Sequence, residues 1–434
     1  MNIIKLIEQK RDGGELSTKQ IEWFVRRYSA DRVPDYQVAA LLMAIYLQRM
    51  NRRETVDLTL AMASSGDQLD LHDVVPFVVD KHSSGGVGDK TTLVVQPIVA
   101  ACGLPVGKMS GRGLGLTGGT LDKMESFPGW SSDLSLEQFK KQLSDIGLVL
   151  AGQTARLAPA DGKLYALRDV TGTVANVSLI ASSIMSKKLA AGADAIVLDV
   201  KVGRGAFMAT LADARELARL MVDIGKDAGR ETVALISDMN QPLGHAIGNS
   251  LEVQEAIETL KGKGPDDFQA HCLEVAGHLL LLGSKVGTLS EAKQLAIAAL
   301  NDGRALAKFR MMVERQGGQA ELVDYPDRLP KAALVESIFA ERSGFIACIN
   351  AGAIGSSCIP LGGGRAVKNE PIDHAVGMVI PVKVGDRVEA GDLLGTVHAN
   401  HPDKCNLACA QLLAAFSWSD QPVPALPLFY DTVT

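Results

Sequence analysis

Residues 77–102, FVVDKHSSGGVGDKTTLVVQPIVAAC, decide the fold of this chain. A β-rich run over 77–79 leads into the glycine-rich loop 81–90, and an apolar stretch with helical character completes the unit. The same order returns in 104–126 and again in 195–224. Three strand–loop–helix units predict an α/β sheet whose glycine loops cluster at one edge.

The chain on either side of these units has a different pattern. Residues 1–65 carry apolar side chains at helical spacing, and Ser17 followed by Gln20 matches a capping box. The stretch 163–193 also reads as helical and is expected to complete the same bundle. We therefore predict a small all-helical domain, a large α/β domain with a mixed sheet and a third module. Their expected ranges are 1–65 with about 163–193, then 70–160 with 194–335, and finally 336–434.

The C-terminal module is predicted to be α/β-hammerhead-like, because residues 375–398 read as short strands joined by Gly-Asp turns. Biotinyl and lipoyl carrier domains share this pattern. They require a modifiable lysine at a hairpin tip, and none is well placed here. A structural role for the module is therefore favoured.

Composition limits the classes of function. At about 150 residues per domain, 434 residues predict two or three domains. The 44 basic and 50 acidic side chains give a net charge of −6, so no global basic field is available for nucleic acid or an anionic membrane. Six cysteines without a CxxC pair, and no signal peptide or long apolar run, predict a cytoplasmic protein with reduced thiols.

The glycine loops are suited to an anion, because glycine lets backbone N–H groups approach closely and the next helix presents its positive end. A P-loop is excluded, since Asp89 separates Gly88 from Lys90. The GxGxxG pattern at 113–118 lacks the acidic residue that dinucleotide sites place about 20 residues further on. Lysines and hydroxyls beside both loops instead predict a site for one dianion. They are Lys81, Ser83, Thr92, Lys108, Ser110 and Thr120.

Five motifs are long enough to compare with known families. They are KHSSGGVGDKTT (81–92), SGRGLGLTGGTLDK (110–123), ALRDVT (166–171), SSIMSKK (182–188) and DVKVGRGAFM (199–208). With the hammerhead tail, they resemble the thymidine/pyrimidine-nucleoside phosphorylase family over nearly the whole chain. The resemblance implies reversible phosphorolysis of uridine, thymidine and deoxyuridine to a free base and α-D-(deoxy)ribose 1-phosphate. It also implies a homodimer formed through the helical domain.

The resemblance assigns roles to individual residues. The phosphate site would comprise Lys81, Ser83, Thr92, Lys108, Met109, Ser110 and Thr120. The pyrimidine would contact His82, Leu116, Arg168, Ser183 and Lys187, of which His82, Arg168 and Lys187 would be catalytic. A structural potassium ion, with no organic cofactor, would be held by Gly88, Lys90, Leu243, Ala246 and Glu255.

The chemistry of these side chains agrees with the implied roles. Arg168 can donate a fork of hydrogen bonds to a base, although a surface ion pair with Asp169 is the alternative. Ser183 and Lys187 are four residues apart, so they share one face of a helix. His82 is either the proton donor to the departing base or a group that only orients the substrate.

Three positions bear on specificity and on the cation. Lys90 replaces a small residue expected in relatives, and an ammonium group cannot ligate a cation. Either its carbonyl serves and its side chain points away, or the cation site is weakened. Lys108 and the apolar Leu116 favour the broader enzymes of the family, which also accept uridine.

Two other functions remain open. An anthranilate-type phosphoribosyltransferase has a similar architecture, but it uses magnesium pyrophosphate, and no convincing pair of acidic ligands lies near the loops. A divalent-metal requirement would identify it. A non-catalytic nucleoside- or phosphate-binding protein would bind its ligand without releasing a product.

Overall fold

The computed structural model describes residues 1–113, 118–154, 156–365, 367 and 370–434. The chain begins with four helices, α1 (Ile3–Arg11), α2 (Thr18–Ser29), α3 (Asp35–Gln48) and α4 (Arg52–Ala63). The predicted capping box is confirmed, since the Ser17 and Gln20 side chains each accept a hydrogen bond from the other's backbone N–H. Asn51 and Glu54 begin α4 in the same way.

The first half of the α/β domain follows. It contains β1 (Val79–Ser83), α5 (Thr91–Ala101), β2 (Val106–Ser110), α6 (Thr120–Met124), α7 (Leu136–Ile146) and β3 (Leu148–Gly152). The strand predicted over 77–79 begins later and runs further, because residues 79–83 pair in parallel with residues 195–199. Lys81, His82 and Ser83 therefore lie at the end of a strand, and only the rest of the motif forms a loop.

Two helices, α8 (Pro159–Thr171) and α9 (Val177–Ala190), then return to the N-terminal bundle. Leu164 and Leu179 pack into the core that α1 to α4 form. On α9, Ala181 and Met185 instead pack into the core beside the sheet. Helix α9 is therefore fixed to both domains.

The second half of the α/β domain completes the sheet and covers it. It contains β4 (Ala195–Val202), α10 (Leu211–Asp227), β5 (Glu231–Asp238), β6 (Ala246–Ile247), α11 (Asn249–Leu260), α12 (Asp266–Leu282), α13 (Leu289–Asn301), α14 (Arg304–Arg315) and α15 (Glu321–Asp324). Five strands are parallel in the order β3-β2-β1-β4-β5. The strand order reverses between β1 and β4, and ligands of doubly wound sheets bind outside the carboxyl ends at such a point.

The C-terminal module contains β7 (Leu334–Phe339), β8 (Gly344–Ile349), α16 (Ala351–Leu361), β9 (Gly377–Val379), β10 (Arg387–Val388), β11 (Leu393–Ala399), α17 (Pro402–Ala414), β12 (Phe416–Ser419) and β13 (Phe429–Val433). Two strands cross the boundary expected near residue 336. Strand β6 pairs with β9 of the module, and β13 returns to pair antiparallel with β5, which makes the large sheet mixed. None of the described helices is long and apolar enough to span a lipid bilayer.

Candidate active site

A cleft lies at the carboxyl ends of β1 and β2, between the sheet and helices α8 and α9. It consists of two adjoining cavities of about 520 Å³ and 850 Å³. His82, Ser83, Tyr165 and Phe207 line both of them. The smaller cavity lies over the glycine loops and the larger one extends along α8 and α9, so the two halves form one site.

The smaller cavity brings together most of the residues predicted to bind phosphate. They are Ser83, Thr92, Lys108, Ser110 and Thr120. Helix α5 begins at Thr91, so its positive end lies at this loop. Met109 lines the larger cavity instead, and Lys81 is buried and lines neither.

Lys81 is engaged by its own loop. Its ammonium group donates to Thr91 Oγ1 and lies 3.9 Å from the Asp89 carboxylate, which also accepts a hydrogen bond from Ser83 Oγ. Burial alone would raise the pKa of Asp89, but the surrounding lysines, Lys81 foremost, lower it well below its usual value. The ionised carboxylate therefore holds two groups predicted to bind phosphate. Asp89 lies within the motif 81–92, but the motif alone assigns it no role.

A buried group of charges lies beneath the smaller cavity. Lys108 Nζ donates to the Lys81 carbonyl and lies 3.6 Å from Asp80 Oδ1. Asp80 Oδ2 accepts a 2.7 Å hydrogen bond from Lys188. Burial and the charge of Lys188 lower the pKa of Lys108 to about 7, against the attraction of Asp80. Asp80 and Lys188 are not among the predicted site residues, although they are adjacent to the predicted Lys81 and Lys187.

The larger cavity contains the predicted polar face of α9. Lys187 Nζ donates to Ser183 Oγ at 3.0 Å, so these two side chains do share one face. It also donates to the buried Asp161 carboxylate of α8 at 2.6 Å. The two bonds fix the ammonium group at the wall of the cavity. Asp161 is a further residue of the site that the sequence motifs do not indicate.

Arg168 is buried and lines the larger cavity. Its guanidinium group donates to three backbone carbonyls, those of Val174 (2.7 Å), Leu179 (3.0 Å) and Thr173 (3.3 Å). Burial lowers its pKa. The alternative of a surface ion pair with Asp169 is therefore wrong, because the partners of Arg168 are these carbonyls.

His82 lies where the two cavities meet. Burial lowers its pKa well below the usual value, and the charges of Lys188, Lys108, Lys81 and Lys187 lower it further. Its imidazole is therefore neutral at pH 7. Leu116, predicted to contact the base, lies outside the described residues.

The residues predicted to hold potassium do converge. Lys90 Nζ donates to the carbonyls of Leu243 (2.7 Å) and Ala246 (3.1 Å) and forms an ion pair with Glu255. The Gly88 backbone is close by, since a Cβ on it would lie 2.5 Å from the Leu243 oxygen. Of the two alternatives for Lys90, the one in which its side chain points away is therefore wrong. These oxygens bind the ammonium group of Lys90, and their arrangement does not fit a potassium ion beside that group.

Among the residues that the structure describes, no group of three or more His, Cys, Asp or Glu side chains is placed to hold a metal ion. The phosphoribosyltransferase alternative would require a pair of acidic ligands for its magnesium.

Family models match three parts of the chain. The helical bundle domain of the glycosyl transferase family matches residues 4–66, and the a/b domain of that family matches 76–306. The pyrimidine nucleoside phosphorylase C-terminal domain matches 345–419. These ranges follow the bundle, the large sheet and the module described above.

Relatives match along the full length. The pyrimidine-nucleoside phosphorylase of Geobacillus stearothermophilus is 50% identical over 434 residues, which is 100% of both chains. That of Staphylococcus aureus strain USA300 is 52% identical over 403 residues, 93% of each chain. Anthranilate phosphoribosyltransferase from Thermus thermophilus has a similar fold, with a TM-score of 0.59 and 19% identity, covering 72% of this chain and 99% of its own. The chain therefore belongs to the pyrimidine-nucleoside phosphorylase family.

Proposed function

We propose that this protein catalyses the reversible phosphorolysis of pyrimidine nucleosides to a free base and a pentose 1-phosphate. The observation that carries the proposal is the division of one cleft into two halves. One half presents hydroxyls, a lysine and a helix N-terminus to an anion, and the other presents Arg168, Ser183 and Lys187 to a base. Both reactants are thereby held in contact.

Phosphate is the nucleophile. Ser83, Ser110 and Thr120 would donate hydrogen bonds to its oxygens, and Lys108 would supply positive charge. Asp89 must give up its bond to Ser83 as phosphate enters, because both anions need the same hydroxyl. Held beside C1′, the phosphate attacks as the N-glycosidic bond breaks, with inversion at C1′, and orientation supplies much of the rate enhancement.

The departing pyrimidine develops negative charge, and the other half of the cleft would stabilise it. Lys187 is already aimed by Asp161 and Ser183. Arg168 uses three of its five N–H groups on backbone carbonyls, which leaves two for the base. The carbonyl bonds hold its guanidinium group in one orientation.

The role of His82 depends on charge. Its neutral imidazole is a poor proton donor, yet Lys108, one of the lysines that lower its pKa, is a group that phosphate would neutralise. Phosphate binding would therefore raise the pKa of His82 and allow it to donate a proton to the base. The order of binding then matters, with phosphate preparing the acid.

The substrate range is proposed to include uridine, thymidine and deoxyuridine. Lys108 lines the smaller cavity, where its ammonium group could donate to a ribose 2′-hydroxyl as well as to phosphate. This second donor supports the acceptance of ribosides beside deoxyribosides.

We also propose a cytoplasmic homodimer formed through the helical domain. Exposed apolar side chains on α3 and α4 support such an interface, namely Tyr36 (74% exposed), Leu47 (70%), Met43 (38%) and Leu60 (37%). Apolar side chains gathered on a few helices are typical of a contact surface between subunits. Sedimentation of the wild type and of Leu47→Glu would test it, with a monomer expected for the variant.

Ultraviolet detection of free base tests the reaction itself. Uridine, thymidine and cytidine would each be incubated with the protein, with and without phosphate. Base released from uridine and thymidine only with phosphate is the expected result. Release from thymidine alone would contradict the role of Lys108. A divalent-metal requirement, or binding without release, would overturn the proposal.

A further inference from the structure

The pocket around Lys90 Nζ is complete. An ammonium group has three N–H donors, and three acceptors surround this one, namely the carbonyl oxygens of Leu243 and Ala246 and the carboxylate of Glu255. The Phe268 ring lies 4.7 Å from the same nitrogen. Lys90 is 1% exposed, so the Glu255 carboxylate rather than water offsets its charge.

The neighbouring groups leave little room for a second cation. Glu255 also accepts hydrogen bonds from the backbone N–H groups of Ala246 (2.8 Å) and His245 (3.0 Å), so both of its carboxylate oxygens already have partners. A Cβ on Gly244 would lie 2.7 Å from Lys90 Nζ, so the backbone encloses the ammonium group closely. A free monovalent ion on these oxygens would place two positive charges in contact, which a buried site disfavours strongly.

Two other carbonyls of this segment are held by a second lysine. Lys383, from the C-terminal module, donates to Gly244 (2.7 Å) and Pro242 (2.9 Å), and its ammonium group lies 2.7 Å from Asp267. Lys90 and Lys383 therefore bind the segment 242–246 from two sides. Each lysine is accompanied by one carboxylate, so the charges of the whole cluster balance.

The position of Lys90 in the chain connects this pocket to the proposed phosphate site. Lys90 directly follows Asp89 and is the residue before α5, so it ends the loop that carries the phosphate-binding side chains. The same loop is also joined to the segment by a hydrogen bond from Leu243 N to the Val87 carbonyl, 3.1 Å long. Fixing the Lys90 ammonium group therefore fixes the end of the phosphate loop.

We propose that Lys90 is the resident cation of this pocket, so that neither the stability nor the activity of the protein depends on a free monovalent ion. Its side chain takes the place of the potassium that the resemblance implies. A carboxylate and two carbonyls buried together need a positive charge, and here the chain supplies it covalently.

Two measurements on the wild type test the proposal. The unfolding temperature and the phosphorolysis rate would be compared in potassium, sodium and tetramethylammonium chlorides at equal ionic strength. Tetramethylammonium is too large for the pocket. We expect the same unfolding temperature in all three salts, and rates within about twofold of one another. A saturable rise of the unfolding temperature with potassium would overturn the proposal. This readout does not depend on phosphorolytic activity, so it tests the pocket separately from the proposed function.

The Lys90→Thr variant tests whether removal of the ammonium group makes the protein depend on potassium. This change removes the ammonium group and leaves the carbonyls and Glu255 with space for an ion, so potassium should raise the unfolding temperature of the variant in a saturable way. Lys226→Thr, at an exposed position of α10, is the matched control and should show no such response. An unfolding temperature of Lys90→Thr equal to the wild-type value in tetramethylammonium would count against the proposal. If Lys90→Thr does not fold, the wild-type salt comparison decides alone.

Discussion

The ammonium group of Lys188 donates a 2.7 Å hydrogen bond to the carboxylate of Asp80, and both side chains are buried. Lys188 belongs to α9, which carries side chains proposed to bind the base, and Asp80 belongs to β1, which leads into the loop proposed to bind phosphate. The second oxygen of Asp80 faces Lys108 at 3.6 Å. The Asp80 carboxylate therefore connects the two halves of the cleft, and it offsets the positive charge of one lysine in each half.

Asp80→Asn should destabilise the protein strongly. The change leaves Lys188 and Lys108 buried without their shared counter-charge, and loss of one partner of a buried pair costs about 3 kcal/mol or more. The unfolding temperature should fall well below the wild-type value. Asp73→Asn is the control, since Asp73 forms an exposed ion pair with Lys140 that is worth at most about 1 kcal/mol. Equal shifts in the two variants would contradict the structural role of Asp80.

Phosphate affinity should depend on the protonation of Lys108. Because burial lowers the pKa of Lys108 to about 7, its ammonium group is charged below that pH and neutral above it. Only the charged form attracts phosphate, so the KM for phosphate should rise above pH 7, by up to about tenfold. The sign for stability is also fixed. The unfolded chain keeps the ordinary, higher pKa and binds more protons, so this group makes the folded state relatively more stable as pH rises above 7.

Lys108→Met isolates this effect. The titration of phosphate itself acts equally on both proteins, so the ratio of variant to wild-type KM reports Lys108 alone. That ratio should be large at pH 6 and should shrink towards one at pH 9. A ratio independent of pH would refute the role of the Lys108 charge in binding phosphate.

Substitutions of Lys187 and Asp161, in the half of the cleft proposed to bind the nucleoside, should lower kcat/KM by different factors. Lys187→Met removes a donor to the departing base and should lower kcat/KM by about 10² to 10³. Asp161→Asn retains the donor but loosens its position, so a smaller loss of about tenfold is expected, with partial rescue by Asp161→Glu. The control is Asp31→Asn, which removes an exposed carboxylate bonded to Lys163 of α8. Full activity of Lys187→Met would exclude it from catalysis.

The sequence carries the parts of the fold that depend on local pattern. Alternating strand, glycine loop and helix predict parallel strands, and parallel strands bring their carboxyl ends to one edge, so Ser83 and Ser110 meet in one cavity. The four-residue spacing of Ser183 and Lys187 predicts their contact in the same way. These relationships follow from the periods of strands and helices alone.

Other features depend on packing between distant segments. The carbonyls that bind Lys90 are 153 and 156 residues away along the chain, and local pattern does not contain that approach. Likewise, β13 joins β5 because a terminal segment returns across the module boundary. Lys81 is predicted to lie beside phosphate, but its strand continues past the expected end and its side chain turns to Thr91.

His82 either donates a proton to the departing base or only orients the substrate. The two hypotheses predict a different dependence of kcat on how readily the base leaves. A proton donor matters most when the departing base is a poor leaving group. His82→Asn should therefore lose about 10²-fold in kcat with uridine and much less with 5-nitrouridine, whose base leaves readily as an anion. A group that only orients the substrate would lose the same factor with both. A proton donor is active only while it is protonated, so the wild-type kcat with uridine should fall as pH rises through the pKa that His82 has in the presence of phosphate. The His82→Asn variant should not show this fall. Equal losses with the two nucleosides, together with an unchanged pH profile, would assign His82 to orientation alone.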